Sequence, residues 1–116
     1  MAKTSTLTVT ASVTGDGLAG DSYAPPQGPF VNTSAPQGIP SVVQLGGGSN
    51  SLAVPAGAQY ALLVPPAAST NAKLAKTISG DTGVSFTSSI VLLPVAGLST
   101  IYCTATAGEA LSIAWL

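Results

Sequence analysis

Between Ser5 and Thr14 polar and apolar residues alternate without a break. Leu7, Val9, Ala11 and Val13 share one face, and Thr6, Thr8, Thr10, Ser12 and Thr14 share the other. A two-residue period in largely β-branched side chains predicts a half-buried strand over 5–14, which Gly15-Asp16-Gly17 then breaks. The period vanishes over 18–40, where Pro25, Pro26, Pro29, Pro36 and Pro40 accumulate and Pro-Gln-Gly occurs twice. Proline lacks the amide donor that a sheet interior needs. This segment therefore predicts a Pro-rich arm or loop, ordered by lying on its own domain or on a neighbour.

From Ser41 onward the punctuation is regular. Strands are predicted over 41–45, 51–54, 59–64, 73–78, 84–86, 90–93, 98–105 and 110–116. Gly46-Gly47-Gly48, Pro55-Ala56-Gly57, Pro65-Pro66, Ser79-Gly80-Asp81-Thr82-Gly83 and Ala107-Gly108-Glu109 are the clearest of the breaks between them. Within these runs Ile101 and Cys103 oppose Tyr102, while Leu111, Ile113 and Trp115 align. Residues 67–76 have a helix-compatible composition and follow a proline pair compatible with a helix start, but the segment is short and has a Gly-rich exit. Short strands at 8–12-residue spacing predict an all-β chain. The expected architecture is one domain, a β-sandwich or jelly roll of about seven to nine antiparallel strands, with its main body over 41–116. Tyr60, Phe86 and Trp115 fall in apolar strands and are expected in the core. Tyr23 and Phe30 sit in the arm, where aromatic residues serve as anchors in a partner's pocket. The expected interface is thus Tyr23, Pro25, Pro26, Pro29, Phe30, Pro36 and Ile39.

Charge changes the picture most. Lys3, Lys73 and Lys76 are the bases, Asp16, Asp21, Asp81 and Glu109 the acids, and Arg and His are missing. Charged residues make up 6% of the chain, against roughly 25% in an ordinary domain. A compact monomer of this size exposes about 5,700 Å², or about 800 Å² per charge. That is about one partner's share of a standard protein–protein interface. Soluble monomers intersperse both signs of charge to prevent association, so this chain is expected to associate, with a trimer as the expected homo-oligomer. Three scattered lysines exclude a phosphate-backbone or polybasic membrane partner, so neither nucleic acid nor membrane is expected. The N-terminus has no continuous apolar core of a signal peptide, and the longest apolar run, 60–68, is interrupted by Pro65-Pro66. Cys103 is the one cysteine, expected as a reduced, buried hydrophobe.

No catalytic residue, metal site or cofactor is expected. The carboxylates stand singly in or beside turns, where Asp bonds its own backbone. Asp81-Thr82-Gly83 matches the aspartic-protease tripeptide but lacks the family's other motif residues. Asp16 and Asp21 lack the dense acidic pattern of a calcium loop. The Thr4, Thr6, Thr8, Thr10 ladder is the solvent-tolerant side of one strand, without the repeated coils of ice-binding proteins.

Val54-Pro55-Ala56-Gly57, Tyr60-Ala61-Leu62-Leu63-Val64-Pro65-Pro66, Ile78-Ser79-Gly80-Asp81-Thr82-Gly83-Val84 and Leu111-Ser112-Ile113-Ala114-Trp115-Leu116 together resemble small virion structural proteins of tailed bacteriophages. The resemblance is one of style, over about residues 50–116. It implies a capsid decoration, or cement, protein that sits on the shell as an oligomer and bridges neighbouring major capsid subunits. Its location would be the virion, assembled in the host cytoplasm. A tail, connector or fibre role, and a carbohydrate- or receptor-binding module, are the alternatives.

Overall fold

The computed structural model describes residues 3–8, 11–15, 18–23, 30–35 and 41–116. Among them the chain is all-β, with twelve strands and no helix. Four strands lie before residue 41: β1 (Lys3–Leu7), β2 (Ala11–Gly15), β3 (Leu18–Tyr23) and β4 (Phe30–Ala35). Eight follow: β5 (Ser41–Leu45), β6 (Gly48–Ala53), β7 (Tyr60–Val64), β8 (Lys73–Lys76), β9 (Val84–Phe86), β10 (Val91–Pro94), β11 (Thr100–Ala105) and β12 (Glu109–Trp115).

The eight later strands form two four-stranded antiparallel sheets, ordered β10-β7-β12-β5 and β6-β11-β8-β9. Successive strands cross from one sheet to the other, except β8 and β9, which are neighbours. That order and alternation are those of a jelly roll. β7, β8, β10 and β11 bury every second residue, as does the middle of β12. Ala61 and Leu63 of β7, Leu111 and Ile113 of β12, and Ile101 and Cys103 of β11 are all fully buried. With Leu45, Leu52, Ala75, Phe86, Val91 and Leu93 they form a single core between the sheets. Phe86 lies in this core and Trp115 packs against it, as expected. Tyr60 does not: it is only half-buried and out of phase with Ala61 and Leu63.

The N-terminal region departs from the expected plan. Among the described residues of the alternating run, two strands with different partners take the place of one. β1 pairs with β4 (Leu7 opposite Phe30), and β2 pairs with β3 (Ala11 opposite Tyr23). The segment expected as an arm therefore contributes β3 and β4. Their sequences, Leu-Ala-Gly-Asp-Ser-Tyr and Phe-Val-Asn-Thr-Ser-Ala, are the proline-free windows of 18–40, so every ladder donor is present. Asn32 of β4 is buried and donates through Nδ2 to the Gly57 carbonyl at 2.9 Å. That bond attaches the β1–β4 pair beside the β6–β7 connection.

Candidate functional site: a clamped loop end and an uncharged sheet face

Residues 41–116 hold four charged side chains: Lys73, Lys76, Asp81 and Glu109. The phase of β8 turns Lys73 and Ala75 inward and leaves Leu74 and Lys76 half-buried on the outer face. The Lys73 side chain is 0% exposed and that of Glu109 is 10% exposed, with Nζ 2.7 Å from Oε2. Nζ also donates to Ser69 Oγ at 3.0 Å and to the Asn71 carbonyl. An ammonium has three protons, so all three are engaged. The Phe86 ring, its centroid 5.3 Å from Nζ, adds a favourable quadrupole. Hydrogen bonding from Lys73, then from Ser69, holds the Glu109 carboxyl below its ordinary pKa range. Cys103 is affected in the opposite sense: burial pushes its thiol upward, against the nearby positive charge of Lys73.

Two asparagines complete the clamp at this end. Asn71 Oδ1 accepts from Thr106 N and Ala107 N, both at 3.0 Å, and from Thr106 Oγ at 2.6 Å, while its Nδ2 donates to the Ala107 carbonyl. Asn50 Oδ1 accepts from Gly46 N, and its Nδ2 donates to the carbonyls of Gly46, Gly48 and Cys103. The β7–β8 and β11–β12 connections are thereby tied together, and the β5–β6 connection is fastened to β11. With every Lys73 proton committed and the thiol inside the core, the cluster has the chemistry of a fastener.

The two outer faces differ in kind. On the β6-β11-β8-β9 sheet, Ser49, Ser51, Thr104 and Ser85 surround Tyr102, Leu74 and Lys76, by the registers Ser51–Tyr102–Lys76 and Ser49–Thr104–Leu74–Ser85. A shallow depression of about 270 Å³ there is lined by Leu74, Ser85, Thr104 and Thr106 among others. The β10-β7-β12-β5 sheet presents instead the rows Leu92–Leu62–Ala114 and Val64–Ser112–Val42, with Pro94 beside Tyr60. Not one of these side chains is charged. Val42 is 69% exposed, and Ile90, just before β10, is 64% exposed. They are the two most exposed of the large hydrophobic residues described, and they stand toward opposite edges of this sheet.

Of the residues expected at an interface, Tyr23 closes β3 and Phe30 opens β4, in the two separate N-terminal pairs. Pro25, Pro26, Pro29, Pro36 and Ile39 lie outside the described residues. The scarcity of charge anticipated uncharged patches of interface size, but not which face carries one, and the Lys73 cluster was not anticipated from sequence. A signal for the cluster exists: β8 reads Lys-Leu-Ala-Lys, and matching its phase to Phe86, which pairs with Lys73, turns the lysine inward. Asp81 is exposed in the turn between β8 and β9, where its amide donates to the Ile78 carbonyl at 3.1 Å. Among the described residues no group of three or more His, Cys, Asp or Glu side chains could hold a metal ion. Compared with protein-family models, curated proteins and solved structures, the chain matches none.

Proposed function

We propose that this chain is a non-enzymatic structural subunit of a virus particle. In its most concrete form it is a capsid decoration protein that oligomerises and stabilises the shell by bridging neighbouring major capsid subunits. The observation that carries this reading is the uncharged outer face of the β10-β7-β12-β5 sheet. Isolated proteins guard such surfaces with charge. A subunit that works inside an array meets neighbours there instead. The jelly roll adds a prior by analogy, since capsid and lectin domains both use it.

Immunogold labelling of particles released from the cells that make this chain tests the reading. Regular label over the head supports decoration, and label confined to a tail or fibre reassigns the subunit. Absence from particles overturns it. Sedimentation velocity of the purified chain separates a trimer from other states. A second reading, a carbohydrate-binding module, draws on the depression lined by Leu74, Ser85, Thr104 and Thr106 among others, whose surface is mainly apolar. Glycan-array binding that a Thr104→Val change abolishes would favour it.

A further inference from the structure

We infer that β5 is the docking edge for a second copy of this chain, the two β5 strands pairing antiparallel so that two sheets join into one. This deepens the oligomeric reading above by naming the contact and its occupant. β5 stands at the end of its sheet and, among the described residues, pairs only with β12. In an antiparallel ladder every second residue of such a strand turns its N–H and C=O away from its neighbour. The occupant that satisfies those groups is another strand, the basis of edge-to-edge recognition.

The four sheet edges are not equally open. β9 is three residues long, and β10 ends on Pro94. β6 begins at Gly48, whose φ is +98°, and Asn50 ties its first turn down. Short strands, prolines and distorted backbone are the usual protections of an edge. β5, Ser-Val-Val-Gln-Leu, has none of them and no charge.

Self-pairing is also consistent with the side chains. Centred on Val43, it sets Val42 opposite Gln44 of the second copy and Ser41 opposite Leu45. This keeps outward residues on the outer face and Leu45 on the core side, since the pairing conserves the two-residue parity. Val42, 69% exposed in the single chain, gains cover, and the uncharged Val64–Ser112–Val42 row continues into the neighbour. With no charge on either strand, two identical edges meet without repulsion. A five-residue edge is about 17 Å long, too short for the roughly 800 Å² per partner of a standard interface. The pair is therefore transient in dilute solution and persists where copies are held side by side. The contact is two-fold, the same strand being used by both copies.

The test compares the full-length chain with its Val42→Lys/Gln44→Lys variant by sedimentation velocity over a wide concentration range. Hydrogen exchange of the β5 amides is followed over the same range. Both substitutions lie on exposed positions, and matching thermal unfolding confirms an unchanged fold. The expected result is a reversible dimer whose dissociation constant rises at least tenfold in the variant. Slowing of alternate β5 amides should accompany wild-type association. Association unchanged in the variant, or none at any concentration, overturns the inference. So does full β5 protection in a sedimenting monomer, which would show a segment of the same chain occupying the edge. A chain that dimerises through β5 yet is missing from particles would overturn the virion reading alone.

Discussion

The ammonium of Lys73 and the carboxylate of Glu109 touch, yet their surroundings are unequal. Lys73 is sealed under β12 and Phe86, whereas Glu109 keeps 10% of its side chain in water. Removing one partner of a buried pair costs most when the charge left behind cannot rehydrate. Glu109→Ala strands the sealed ammonium. Lys73→Met keeps the stem's volume and leaves a carboxylate that water can reach. Urea denaturation should therefore find Glu109→Ala the less stable of the two, and the reverse order would refute the clamp. The same pair sets an acid limit. Because the folded pKa of Glu109 is depressed, its contribution is complete above the unfolded carboxyl pKa. It is lost as pH falls through the lower, folded value. Stability should be flat near neutrality and decline in acid, with Glu109→Gln lacking that part of the decline.

At the level of elements, the turn between β8 and β9 shows what the backbone demands. Gly83 has φ +86°, and a Cβ built there would lie 2.6 Å from the Ala75 carbonyl oxygen and 2.9 Å from Lys76 Cβ. Gly80, in the same turn, has nothing within 4 Å of such an atom. Gly83→Ala should cost about 2 kcal/mol or more, from left-handed strain plus the clash. Gly80→Ala should stay within about 0.5 kcal/mol of wild type. Equal melting temperatures for the two variants would contradict the turn geometry. This turn, like most strand limits after residue 41, was legible in the sequence, because Gly and Pro act locally. What local signals cannot specify is the partner. Alternation says that Ile101 and Cys103 share a face, but only the topology places β11 between β6 and β8. The Ser5–Thr14 alternation was legible as β-structure and misread as one strand, because the division depends on β3 and β4 across from it. Lys73 was missed for a related reason: hydropathy alone places Leu74 inward, and the phase is decided by what lies opposite.

For the whole molecule, the scarcity of charge becomes a statement about placement. In the jelly roll the pair Lys73–Glu109 is consumed internally, Lys76 lies on the hydroxyl-rich sheet and Asp81 on a turn, so the other sheet is left uncharged. Contacts made through that sheet would be apolar and backbone in character, and they should respond to salt accordingly. Screening acts on charges, so raising sodium chloride from about 50 to about 500 mM should leave self-association essentially unchanged. Sulfate, which is excluded from protein surfaces and favours burial, should strengthen it. The measurement is sedimentation velocity in matched ionic strengths of the two salts. If chloride instead dissolves the assembly, the contact runs through Lys76, Asp81 or the charged N-terminal segment, and the uncharged sheet is not the surface that neighbours share.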